Sequence, residues 1–247
     1  MENYYSCSYI MTYIHSKRNL NILKHNINQL LVDPKIEIIV VEAGKNSMLK
    51  DMDLKCKYVF AQTDTFNVGW LFNIGARIAT TNKLFFAESS IFPKMEFITN
   101  IVRKPTEHEC IYGQSDIIEL DAQATDSKKY NYDMPSKQDT LSGLHYYTYE
   151  GFYKVGTWDE NLYGKDLYSF QDKKNVLLLK LGKVDNTKII KFTLDVPSVD
   201  EEQQEASTKH YDKVTSVDQD KIMSYIRSQV KKSSNIHKYE KVEIMKP

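Results

Sequence analysis

Glu88, Ser89 and Ser90 place one carboxylate and two hydroxyls side by side at the end of a hydrophobic run. Upstream, Leu71, Ile74, Gly75 and Ile78 recur at helical spacing, a polar break follows at Thr80 to Lys83, and Leu84 to Ala87 reads as a short buried strand. A helix therefore feeds a strand that ends on Glu88. Ligands of open α/β sheets gather beyond the carboxyl ends of the strands, so these three side chains are expected to face a substrate. A strand that merely ends in a polar turn has the same spacing, and spacing alone does not choose between the two. A second polar constellation, Trp158, Asp159, Glu160 and Asp166, lies in the aromatic stretch between Leu141 and Asp172.

The elements that must carry these groups alternate along the chain. Residues 8–14 are rich in β-formers and read as a first strand. Leu20, Leu23, Ile27, Leu30 and Leu31 mark one helix face, capped by Ser16 and stopped at Asp33-Pro34. Residues 36–41 are a continuous apolar run, the pattern of a strand covered on both faces, and Glu42-Ala43-Gly44 ends it. Residues 57–60 suggest a further strand. Such alternation builds a parallel sheet, half of a nucleotide-binding fold. Further on, a helix is expected over residues 94–102 and strands over 110–112 and 188–194. Residues 121–140, polar and containing Pro135, read as a long loop, either a lid or disordered. Ile222, Met223, Ile226 and Val230 mark a closing helix after Ser216, and the basic tail from Lys231 is expected to fray.

With 247 residues and 41% hydrophobic content the chain can bury a full core. Thirty-three basic residues balance thirty-three acidic ones, which provides no overall field for nucleic acid or an anionic membrane. Cys7, Cys56 and Cys110 are too few and too scattered for a disulfide framework or a zinc site. Neither a signal-peptide pattern nor a membrane-length apolar run is present, so the expectation is a soluble cytoplasmic protein. Glycine-rich phosphate loops of the dinucleotide and P-loop types are absent as well.

The run F-N-x-x-W-x-x-N-x-G-A-x-x-A (Phe66, Asn67, Trp70, Asn73, Gly75, Ala76, Ala79), followed by a hydrophobic strand and an acidic turn ending at Pro93, resembles nucleotide-sugar glycosyltransferases of the GT-A fold. It looks most like the branch of bacterial polysaccharide polymerases and galactosyl- and N-acetylgalactosaminyltransferases. V-G-x-W-D-E-x-L-Y-G-x-D, with Gly156, Trp158, Asp159, Glu160, Gly164 and Asp166, resembles a later segment of the same enzymes. Thr157 stands there for a second Gly and Lys165 for a Glu.

The resemblance implies an α/β fold with a mixed, mostly parallel central sheet flanked by helices. It implies one GT-A-like domain over residues 1–230, with a donor-nucleotide half to residue 93, an acceptor half from residue 94, and a basic tail over 231–247. The activity implied is sugar transfer from a nucleotide sugar, expected to be a UDP-sugar, to a hydroxyl acceptor with inversion. The family match places Thr12, Tyr13, Arg18, Glu42, Gln62, Asn67, Trp70, Asn73, Glu88 and Ser90 around the donor, and Trp158, Asp159 and Glu160 near the acceptor. Trp158, Tyr146 and Tyr163 either stack on a sugar or are core residues. Asp166 is the candidate base, or else a helix N-terminal carboxylate. The family's metal-binding Asp-x-Asp is here Glu88-Ser89-Ser90, so a Mn or Mg site rests on Glu88 with Asp195, or with His210 in its place. A glycan, a protein or a modified base in DNA are the acceptors in view, charge giving no support to the last. The rival readings are a nucleotide-sugar-binding protein without catalysis and, more remotely, a nucleotidyltransferase, whose basic glycine-rich loop is missing.

Overall fold

The computed structural model describes residues 5–103, 108–112, 115–139, 144–183, 187–195, 200–215, 222–228 and 242–245. Strand β1 (Cys7–Ile14) is central: it pairs in parallel with β2 (Ile36–Gly44) on one side and β4 (Lys83–Glu88) on the other. β3 (Lys57–Gln62) continues the parallel set beyond β2. Antiparallel β9 (Leu144–Thr148) flanks β4, then come β6 (Cys110–Tyr112) and β10 (Leu181–Lys183). At the far edge β12 (Val242–Met245) adds antiparallel to β3, giving the order β10-β6-β9-β4-β1-β2-β3-β12. The expected frayed tail is therefore corrected for its last part, where a short V-E-I-M alternation completes a sheet edge. A second sheet has the order β5-β11-β7-β8, built from β5 (Ile91–Pro93), β7 (Ser115–Glu119), β8 (Lys137–Asp139) and β11 (Thr187–Lys191).

Alternation along β1 assigns the two faces. Tyr9, Met11 and Tyr13 pack with Ile22, Leu23, Ile27 and Leu30 of α1 (Lys17–Leu30) and with Ile98 and Ile101 of α3 (Met95–Arg103). Ile10 faces the other way, toward α2 (Val68–Ile78), α5 (Tyr149–Lys154) and α6 (Gly164–Leu178). Gly75 is what lets α2 approach: a Cβ there would lie 2.3 Å from Ile10 Cγ2. Ser16 caps α1 as expected, accepting from Asn19 N.

Several elements were not legible beforehand. The segment read as a long loop contains α4 (Ala122–Ser127), capped by Asp121 and closed by Lys128 in the left-handed region, and then β8. Both are too short to show a period. A helix α7 (Glu201–Thr215) precedes the closing one, and its mean polarity hid it. Residues 222–228 are helical as expected, while Ser216 and Val230 lie outside the described residues. No described helix is long and apolar enough to cross a membrane.

Candidate active site

The two sequence stretches singled out at the start meet through asparagines. Asn67 caps α2 by accepting from Trp70 N at 2.8 Å and donates to Glu160 O at 2.7 Å. Asn73 brackets Trp158, donating to its carbonyl and accepting from its N–H, both at 3.0 Å, and also reaches Glu160 Oε1 at 2.8 Å. These amides are spent on holding α2 against the turn at residues 156–160. That turn is strained, because Thr157 has φ +62° beside Gly156 at +79°. Buried Lys174 of α6 donates to Thr157 O at 2.5 Å, and burial, partly offset by Asp159, pushes its ammonium down to about 8.

Asp159 is 2% exposed. It accepts from Tyr225 Oη at 2.6 Å and Asn161 N at 3.0 Å and lies 3.2 Å from His210 Nε2, thereby tying the turn to α7 and to residues 222–228. Burial would raise its pKa, but these partners outweigh it and hold the carboxyl well below the usual range. Trp158, expected beside an acceptor, is 1% exposed and packed among Phe72, Phe86, His145 and Tyr168, so its faces belong to the core. Tyr146 is likewise buried. His210, the alternative metal ligand, is the partner of Asp159.

At the carboxyl end of β4, Glu88 lies beside Thr12 in register and is half-buried. The Tyr168 phenol of α6 donates to its carboxylate. Burial raises the Glu88 pKa, opposed by that hydrogen bond and by the Lys191 charge. Glu88 and Ser90 open onto a cavity of about 540 Å³ whose other walls include Glu119, Asp121, Lys191 and Thr193. Behind Tyr168, the ring of His145 stacks at 5.8 Å, with Nε2 3.4 Å from Asp172 Oδ1.

The remaining expected residues are spread around this end of the sheet. Thr12 and Tyr13 end β1, both buried, and the Tyr13 hydroxyl meets His15 Nδ1 at 2.9 Å. Glu42 is fully buried and accepts from Met48 N, Leu49 N and the Tyr58 hydroxyl, closing the loop after β2. Arg18 bridges Asp126 of α4 at 2.8 Å and Asp195 at 2.5 Å. Asp195 also takes the Ser16 hydroxyl at 2.9 Å. Gln62 ends β3 in the open, and Trp70 sits half-buried on the first turn of α2. Asp166 turns toward α7, its Oδ2 accepting from Ser207 at 3.1 Å and Thr208 at 3.2 Å.

Sequence reasoning passed over Tyr168, His145 and Lys191. Tyr168 lies two residues after Asp166 inside the recognised stretch, so its place there was a usable signal. Lys191 gave none, since strand alternation does not say what a side chain meets.

The sequence resemblance implies a divalent ion at Glu88. The donors present fit one poorly: Glu88 already accepts from Tyr168, Asp195 is committed to Arg18 and Ser16, and the matching second carboxylate is a serine. Among the described residues no group of three His, Cys, Asp or Glu is arranged to hold a metal.

No protein-family model and no curated protein matches the sequence. Solved structures do match. GalNAc-T7, crystallised with UDP, GalNAc and Mn2+, aligns over 93% of this chain at a TM-score of 0.60 and 15% identity. The fold is GT-A. S. aureus TarS (1–349), in complex with UDP-GlcNAc, aligns over 93% at 0.58 and 12%. The chain spans about half of the GalNAc-T7 chain, 52%, and 71% of that TarS chain. In the GT-A frame, the cavity beside Glu88 lies at the carboxyl end of a central parallel strand.

Proposed function

We propose that this chain is a glycosyltransferase that moves a hexose or pentose from a nucleotide sugar, namely a UDP-sugar, to a hydroxyl of a glycan or similar acceptor, with inversion. The observation that carries the reading is the placement of Glu88 and Ser90 at a polar cavity on the strand ends of a GT-A fold. In the transfer, the acceptor oxygen bonds to the anomeric carbon while the bond from that carbon to the diphosphate oxygen breaks. The hydroxyl proton passes to the Asp166 carboxylate, and the nucleoside diphosphate leaves with the bonding electrons. The hydroxyls of Ser207 and Thr208 orient that carboxylate without neutralising it. Glu160, exposed beside the turn, is the group offered to the acceptor, and buried Asp159 fixes the turn beneath it. The cytoplasm is the compartment that fits the three unpaired thiols.

A screen of UDP-sugars and hydroxyl acceptors, read as UDP release, tests this. Asp166→Asn is expected to lower release by about 10²-fold or more while UDP still binds. The runner-up, a nucleotide-sugar-binding protein without turnover, is favoured by the engagement of both Glu88 and Asp166 with neighbouring helices. It predicts donor binding with no release for any acceptor and no effect of Asp166→Asn.

A further inference from the structure

The donor site of this reading must offset the charge of a diphosphate, and Lys191 is the cation among the side chains that line the cavity with Glu88, Glu119 and Asp121. Lys191, the last residue of β11, lines the same cavity as Glu88 and Ser90. The backbone fixes it there: Lys191 stands opposite Ile91 in the antiparallel pair, and Phe192 N donates to Ser90 O at 2.7 Å. Its ammonium lies 3.4 Å from Glu119 Oε1, with both side chains nearly half exposed. Such a pair holds its partners weakly, roughly 0–1 kcal/mol, so the ammonium can turn to a stronger anion at little cost. Glu119 keeps a second partner in Lys137, at 2.7 Å, when Lys191 leaves.

The two carboxylates assigned to a metal, Glu88 and Asp195, are committed elsewhere. The Tyr168 phenol occupies Glu88, and Asp195 is drawn to the start of α1 by Arg18 and Ser16. A hard divalent ion asks for several free oxygen ligands in fixed geometry, and a phenol donating to one of them competes with it directly.

Resting on the glycosyltransferase reading, we propose that Lys191, rather than a divalent ion held by Glu88, is the counter-charge for the donor diphosphate, so that the nucleotide binds without metal. Tyr168 then keeps the Glu88 carboxyl against α6 and out of the path of the phosphates.

Calorimetry of the full chain with UDP, once in EDTA and once in Mn2+, tests this directly. The expected result is a Kd that differs by less than about twofold between the two conditions. Lys191→Met is expected to weaken UDP binding at least about tenfold, the scale of a charge-assisted hydrogen bond, with partial recovery in Lys191→Arg. Glu88→Gln is expected to tighten it, because a negative charge leaves the neighbourhood of the phosphates. Affinity that rises tenfold or more with Mn2+ and collapses in Glu88→Gln overturns the proposal and leaves the transferase reading standing. Metal-free binding that ignores Lys191→Met overturns the assignment to Lys191. Absence of UDP binding in both conditions overturns the donor reading, and this proposal with it. Lys191 is half exposed, so its variants are expected to fold, which far-ultraviolet circular dichroism checks.

Discussion

Two buried charges belong to the turn at residues 156–160, and both make stability rise with pH, in separate windows. Lys174 has a folded pKa of about 8, below the roughly 10.4 of an unfolded lysine. The unfolded chain therefore binds more protons between these values, and wild-type stability is expected to rise with pH across about 8 to 10.4. Lys174→Met removes that rise, which urea denaturation at pH 7.5 and 10 reads. Asp159 acts with the same sign in the acid range: its folded pKa is depressed, so its contribution is fully present at neutral pH and fades as pH falls through the usual carboxylate range and below it. Asp159→Asn is expected to cost about 2 kcal/mol at pH 7, the scale of hydrogen bonds to a charged group, and the gap to wild type should narrow toward pH 3. An equal gap at both pH values would show that the loss is packing rather than charge. The residue types at 158–160 were readable in advance; that Trp158 and Asp159 face inward was not, because an aromatic and a carboxylate suit a sugar site and a core equally well.

At the scale of elements, the strain in the turn makes its own prediction. Thr157 is β-branched at φ +62°, where the pattern that the sequence resembles has glycine. Relief of left-handed strain, about 1–2 kcal/mol, exceeds the added flexibility of glycine, about 0.5–1 kcal/mol, so Thr157→Gly should raise stability by up to ~1 kcal/mol. A fall in the thermal midpoint would mean that contacts of the Thr157 side chain outweigh its backbone strain. Asn67 and Asn73 join α2 to this turn, so that each of the two stretches completes the hydrogen bonding of the other. Their residues could be read from the chain, their pairing could not, since a separation of 85 positions leaves no local trace. The short α4 and β8 were missed for a related reason, each being below the length at which a period shows.

For the whole molecule, the donor reading predicts linkage between ligand and stability. UDP at about 100 times its Kd should stabilise the fold by about 2.7 kcal/mol, visible as a rise in thermal midpoint. With the proposed Lys191 site that rise is equal in EDTA and Mn2+. A midpoint unmoved by any nucleotide would remove the donor site from this fold.

The alternation of apolar runs and helical spacings was enough to read the first four strands as a parallel set and to place Glu88 at a strand end, since both follow from local periodicity. What Glu88 meets there was decided by tertiary structure alone. Tyr168 reaches it from α6 across 80 positions, Lys191 comes from the second sheet, and Asp166 is held by the hydroxyls of a helix whose polarity concealed it. A side chain's partner is set by how distant elements pack, and period-based reading stops at the element that carries it.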